Sequence, residues 1–151
     1  MATLAQKLGV EAETVVITLA ASATTDGCEA SYQVTDSAGS AVAGVFAIEA
    51  WISESAAGAG LTGGVIGITR LHNGLTADSA SGALTAVSNK GTILTALTAK
   101  KHVKAVTNSA GLLTLLIVDS VNPTDQYFAC KAPATGRVVV SAASGTSWQG
   151  A

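Results

Sequence analysis

Residues 44–53 read Gly-Val-Phe-Ala-Ile-Glu-Ala-Trp-Ile-Ser, and their alternation decides the fold. Apolar side chains take every second position and would share one face of an extended chain: Phe46, Ile48, Ala50 and Ile52. Glu49 and Trp51 would share the other face. We therefore predict a strand whose first face lies in the core. Trp51 then points outward beside a carboxylate, where it either covers a sheet edge or contacts a partner.

Short segments rich in Val, Ile, Thr and aromatic residues recur along the chain between clusters of Gly, Asn, Asp and Ser, which is typical of strands joined by turns. No helical periodicity is convincing, and residues 3–8 are the one weak candidate. The sequence predicts nine strands, over residues 14–19, 28–35, 44–53, 65–70, 92–98, 102–107, 112–118, 126–131 and 137–142. Nine short strands in 151 residues indicate one all-β domain, a sandwich or a barrel.

Two four-residue turns repeat the same chemistry. Asp36-Ser-Ala-Gly39 and Asn108-Ser-Ala-Gly111 each begin with a side-chain acceptor and end with a glycine, which adopts positive φ readily. We predict that both are hairpin turns.

The predicted strand over residues 112–118 is apolar on both of its faces. Leu113, Leu115 and Ile117 would lie on one face, and the other face would carry Leu112, Leu116 and Val118. A sheet in a two-layer sandwich meets the core on one face only. We therefore expect a long loop, an extra layer or another chain to cover Leu112, Leu116 and Val118, and we take these three as interface candidates.

The sandwich itself is predicted over residues 14–143, after an N-terminal arm at 1–13 and before a C-terminal tail at 144–151. Residues 54–83 are dominated by Gly, Ala, Ser and Thr, and their low charge is unlike ordinary disorder. We interpret this stretch as an excursion that becomes ordered against a neighbour. In the tail, Trp148 is expected to be exposed and available as an anchor.

Charge and hydropathy exclude several classes of protein. The chain is 48% hydrophobic, 12% charged and 4% aromatic, with a formal net charge of −2, so it has no general attraction to nucleic acid or anionic membranes. Its apolar runs are far shorter than the roughly 20 residues that span a bilayer. The N-terminus lacks the apolar stretch of a signal peptide, and we expect synthesis in a cytoplasm.

The charges are unevenly distributed along the chain. Residues 1–69 have a net charge of −6 and residues 70–151 a net charge of +4, a polarity that favours contacts between copies or with a patterned lattice. The one basic cluster, Lys100, Lys101, His102 and Lys104, contains no aromatic residues on which bases could stack. It is either a solvated surface or a contact for an acidic protein.

No constellation predicts catalysis, a metal or a cofactor. Gly58-Ala-Gly60-Leu-Thr-Gly63 fits a dinucleotide-binding pattern, but a strand and not a helix is predicted after it. His72 and His102 lack the neighbours that a metal site requires. Cys28 and Cys130 are either free and buried or joined in one bridge between two strands.

A family resemblance covers roughly residues 14–143. The run from Val34 to Trp51, with its Asp-x-x-Gly turn, second glycine and alternating strand, resembles bacterial immunoglobulin-like domains of the invasin and intimin type. Residues 106–115, Val-Thr-Asn-Ser-Ala-Gly-Leu-Leu-Thr-Leu, resemble a second signature of that family, with Asn108 where Asp is commoner. The resemblance implies an immunoglobulin-like antiparallel β-sandwich of about seven to nine strands with a long Gly/Ala-rich insertion, and it implies no activity.

In size and composition the whole chain resembles capsid decoration, or cement, proteins of tailed bacteriophages. That resemblance implies a non-enzymatic, homo-oligomeric virion protein without cofactors, whose partners are the major capsid protein and copies of itself. The interface candidates are Trp51, Lys100, Lys101, Lys104, Leu112, Leu116, Val118 and Trp148. The alternatives are a carbohydrate- or host-surface-binding module of a tail fibre or adhesin and, less favoured by the sequence, a small enzyme.

Overall fold

The structure, a computed structural model, describes residue 12 and residues 14–60, 89–98, 101–118 and 124–149. Its eight strands are β1 (Thr14–Ala21), β2 (Gly27–Thr35), β3 (Ala47–Ser53), β4 (Thr92–Thr98), β5 (His102–Val106), β6 (Leu112–Val118), β7 (Tyr127–Lys131) and β8 (Val138–Val140). All are predicted strands, and the bounds of β4 and β6 agree to the residue. The remaining predicted strand, 65–70, lies outside the described residues.

The strands form two antiparallel sheets packed as a sandwich. One sheet has the order β1-β2-β6 and the other the order β4-β5-β3-β7-β8. Because β2 pairs with β6 and β3 pairs with β7, the chain crosses between the sheets in the immunoglobulin-like manner. The predicted fold class is confirmed, and the Gly/Ala-rich insertion falls between β3 and β4. Among the described residues no helix could span a bilayer.

The core lies between the sheets and contains few large groups. Tyr32, Phe128 and Leu113 are its largest fully buried side chains together with Ile48 and Ile117. The inward face of β3 is as predicted. Aliphatic side chains fill most of the space between the sheets. Many small van der Waals contacts therefore hold the two sheets together.

Both cysteines are free and buried, at facing positions of the two sheets. Burial raises the pKa of the Cys28 thiol and that of the Cys130 thiol to about 12 each. Neither thiol therefore forms the reactive thiolate at neutral pH.

The two predicted turns form, and the first reverses the chain into a short antiparallel bridge in which Thr35 lies opposite Ala41. Asp36 Oδ1 accepts bonds from the amides of Ala38 and Ser40, and Asn108 Oδ1 accepts bonds from those of Ala110 and Leu112. Both segments cross from one sheet to the other, because β2 and β3, like β5 and β6, belong to different sheets. The hairpin prediction is therefore confirmed only locally, at the Asp36 turn, and neither turn joins two paired strands, because local turn chemistry does not specify which sheet receives the next strand.

The C-terminal tail is part of the sandwich. Its backbone pairs with the β1–β2 turn, where the Gln149 amide donates to the Gly27 carbonyl and the Asp26 amide donates to the Gln149 carbonyl, both at 2.9 Å. Trp148 is only 3% exposed and belongs to the core cluster. The prediction of an exposed anchoring tryptophan was therefore wrong.

Candidate functional site

The five-stranded sheet turns one side away from the core, and we call this side the outer face. A row of side chains crosses it from strand to strand. Lys104 of β5 and Lys131 of β7 both lie opposite Glu49 of β3, and Val138 of β8 lies opposite Lys131. The alternation of β3 produces this arrangement, since it sends Glu49 outward while Ile48 and Ala50 enter the core.

Glu49 is held by two neighbours, a histidine and a lysine. Its Oε1 accepts a hydrogen bond from His102 Nε2 at 2.8 Å, and its Oε2 accepts one from Lys131 Nζ at 3.4 Å. Partial burial, the largest single influence, raises the Glu49 pKa, but the His102 bond and the Lys131 charge together outweigh it and leave the pKa below its usual range. Glu49 is consequently ionised, and its charge is largely satisfied within the row.

Trp51 lies two residues after Glu49 on β3 and points to the same face. The segment around Gly58 lies over it. Its Nε1 donates to the Gly58 carbonyl at 2.9 Å, and its ring meets His102 edge-on with centroids 5.8 Å apart. The side chain is therefore only 9% exposed. The outward direction was predicted correctly, but the segment around Gly58 and not a partner covers most of the indole.

The same segment explains the glycine pattern. Gly58 and Gly60 adopt φ angles of 69° and 68°. A Cβ on Gly58 would come within 2.8 Å of Val140, so the backbone lies directly on the sheet. Gly58 allows this close packing, and the residues after Gly60, 61–88, lie outside the described residues.

Two shallow grooves cross the part of the outer face that remains open. One, of about 260 Å³, is lined by Glu49, Trp51, Gly58, Gly60, His102 and Lys131. The other, of about 330 Å³, extends past Ala47 to Leu94, Lys104 and Pro133 and also touches Glu49 and Lys131. Since they share these two residues, the grooves form one continuous concave surface.

Strand β4 has two exposed leucines, and one of them, Leu94, lines this surface. Its pairing with β5 contains two irregularities, between Ile93 and Thr95 and between Ala96 and Thr98. Leu94 and Leu97 are the extra residues, which the register places beside Lys104 and His102. They are 63% and 45% exposed.

The predicted interface residues do not form one cluster. Trp51 and Lys104 lie on the outer face, and Lys101 lies in the turn before β5, where its amide donates to the Thr98 carbonyl. Lys100 lies outside the described residues. Leu112, Leu116 and Val118 belong to the opposite sheet.

The second apolar face of β6, formed by Leu112, Leu116 and Val118, is largely buried within a single chain. Leu116 is 2% and Val118 is 8% exposed, and Leu112 is half-buried. Residues before β4 run beside β6, where the Thr114 amide donates to the Lys90 carbonyl at 2.8 Å. The expectation that another molecule must cover this face was therefore wrong for Leu116 and Val118, because the chain itself covers them.

Sequence reasoning missed Leu94, Lys131 and Val138 as members of one surface. A signal existed for Leu94: Thr-Ile-Leu-Thr-Ala-Leu-Thr does not alternate strictly, and such a break inside a strand can mark a bulge. Nothing local in the sequence could bring Lys131 beside Glu49, because that contact depends on the pairing of β3 with β7.

The outer face can bind through charge and apolar contact, and its described residues include no group of three or more metal-ligating side chains. No family model, curated protein or solved structure matches the chain. The two resemblances noted from the sequence therefore stay predictions.

Because the Glu49 carboxylate is bonded to His102 and Lys131, the free energy of unfolding depends on pH. Because the Glu49 pKa is lowered in the folded chain, its ionised form stabilises the fold above its ordinary pKa of 4.5, and this contribution is lost as the pH falls through the lower folded value. We expect Glu49→Gln to reduce the free energy of unfolding at pH 7 by less than about 1 kcal/mol, as for other exposed ion pairs. The difference from the wild type should shrink towards pH 3.

Urea unfolding at pH 7, 5 and 3 measures this effect. Glu29→Gln, on the other sheet, is the matched control for removing one carboxylate. A gap between Glu49→Gln and the wild type that stays constant from pH 7 to pH 3 would show that the ion pairs contribute nothing.

Proposed function

We propose that this protein is a virion structural protein of a tailed bacteriophage, a capsid decoration protein that binds the outer surface of the head through its outer face and stabilises it. The proposed role is mechanical, without catalysis or a cofactor, and its location is the capsid surface after synthesis in the host cytoplasm.

One observation carries the docking part of the proposal. Of the five exposed large apolar side chains in the described residues, two lie on the outer face: Leu94, which lines the second groove, and Val138, which lies opposite Lys131. They border the row of Lys104, Glu49 and Lys131. A mixed surface with apolar groups around a few fixed charges is typical of protein interfaces.

The composition supports a structural role over an enzymatic one. With 12% charged residues, the chain offers few acids and bases for chemistry. His102 is the one histidine of the described residues, and its Nε2 bonds to Glu49 and not to a serine, threonine or cysteine. A small sandwich of this kind is suited to presenting a surface.

Stabilisation would follow from mass action. A protein that binds the assembled lattice but not its separated subunits shifts the equilibrium towards the lattice. Many symmetric copies add their effects even when each contact is weak.

The proposed lattice partner is the major capsid protein. Association with further copies of this chain was expected from the second face of β6, which is now largely accounted for within one chain. Self-association stays a prediction, which light scattering after size exclusion tests directly.

The binding experiment uses heads of the phage that encodes the chain, assembled without it. We expect the purified protein to sediment with these heads, and Leu94→Asp to weaken binding by about tenfold or more, because a charge would enter an apolar contact. Val16→Asp is the control, since Val16 is also exposed, at 45%, but lies on the opposite sheet. Absence of wild-type binding, or equal loss in both variants, would contradict the proposal.

A carbohydrate-binding module is the second candidate, and the groove at Trp51 favours it. An aromatic edge beside Glu49, His102 and Lys131 provides both apolar contact and hydrogen bonds for a sugar. The small exposed fraction of Trp51 leaves little ring surface for stacking. Binding to a glycan panel without binding to heads would favour this candidate.

A further inference from the structure

The charges of the outer face specify the chemistry of its partner. We propose, on the basis of the docking function above, that the outer face receives an acidic protein surface. That surface presents two carboxylates, one to Lys104 and one to Lys131, with a neutral or basic group between them and an apolar group against Leu94.

Lys104 is the cation most available to such a partner. Its side chain is exposed, and no ion pair with another described residue holds it. Lys131 is 49% exposed at its side chain and shares Glu49 with His102. The row of two lysines and one glutamate therefore has an excess of positive charge, even with His102 neutral.

The strand order sets the spacing of the partner's charges. Lys104 and Lys131 lie on the two strands that flank β3, opposite the same residue. Two strand spacings separate their backbones, a distance of roughly 10 Å. Glu49 between them would repel a third carboxylate, so the arrangement selects a pattern of charges as well as their sign.

The bulges in β4 determine how the partner approaches. An open sheet edge can accept an added strand, but a doubly bulged edge presents an irregular ladder that opposes such pairing. Leu94, the extra residue of the first bulge, lines a groove on the outer face. The partner therefore lies across the face and does not extend the sheet.

An acidic protein fits better than a nucleic acid. A nucleic-acid surface needs many phosphate contacts or aromatic side chains on which bases stack. The row has two lysines beside one carboxylate, and the nearest indole, Trp51, is buried under the segment around Gly58. Leu94, at 63% exposure, matches an apolar protein contact.

The test measures binding to heads assembled without this chain, as a function of sodium chloride concentration. We expect the wild-type affinity to fall as salt rises. Lys104→Glu should weaken binding by about tenfold or more, while Lys104→Arg, which keeps the charge, should retain it within about threefold. Lys90→Glu is the control for the same charge change at the side of β6.

The outcomes separate the inference from the function. Two results would refute the acidic partner while the docking function stands. In the first, the wild-type protein binds heads with an affinity that does not depend on salt. In the second, Lys104→Glu binds heads as well as Lys90→Glu. If the wild type does not bind heads at all, the function fails and the inference with it. Binding to naked double-stranded DNA as tight as binding to heads at the same salt concentration would also refute an acidic protein partner.

Equal unfolding midpoints for all three variants exclude misfolding as the cause of any loss. Lys104 is exposed, so we expect its variants to fold.

Discussion

Replacing Trp148 by alanine is expected to lower the free energy of unfolding by about 3–5 kcal/mol, the usual cost of deleting a large buried aromatic side chain. Trp148 is 3% exposed and packs in the core cluster. Its neighbour Gln149 pairs with the β1–β2 turn, so the tail also closes one end of the sandwich. The loss would be a large share of the stability of a domain of this size.

Urea unfolding with a spectroscopic probe other than tryptophan fluorescence measures this loss. Thr146→Ala is the matched control, because Thr146 is an exposed residue of the same tail. We expect it to change stability by less than about 0.5 kcal/mol. If Trp148→Ala is as stable as the control but binds heads poorly, the tryptophan is an external anchor and not a core residue.

Replacing Gly111 by alanine is expected to destabilise the fold much more than the same change at Gly39. Both glycines end turns of the same type, with φ angles of 74° and 84°. A Cβ on Gly39 would meet nothing within 4 Å, whereas one on Gly111 would overlap the Val42 carbonyl oxygen. Gly39→Ala should cost the left-handed conformation alone, about 1–2 kcal/mol.

Gly111→Ala adds a backbone collision to that cost. The Val34 amide donates to the Gly111 carbonyl at 2.9 Å, so relief of the clash would disturb the end of β2. We expect a loss of more than about 3 kcal/mol or failure to fold. Thermal unfolding of both variants provides the comparison, and equal losses would mean that the two turns are not packed as described.

Much of the fold could be predicted from the sequence because its signals are local. The alternation in residues 44–53 placed Ile48 and Ala50 in the core and Glu49 outside, and the structure agrees. The two Asx-type turns were located to the residue. Their role was not, because the choice between pairing with the previous strand and crossing to the other sheet depends on contacts distant in sequence.

The candidate site could be predicted only in part. The pattern gave Trp51 an outward direction, but its cover depends on a bond from its indole to the Gly58 carbonyl that no periodicity encodes. Because β6 is apolar on both faces, the sequence indicated that something must cover its second face. The length of the chain could not show that the chain itself would cover it. Leu94 reaches the outer face at a bulge, which displaces it from simple alternation.

Electron cryomicroscopy of heads decorated with this protein tests the central claim most directly. The proposal predicts that the head surface contacts the outer face, with density against Leu94 and Lys104. Decorated heads in which β1 and its exposed Val16 meet the capsid while the outer face points to solvent would contradict it.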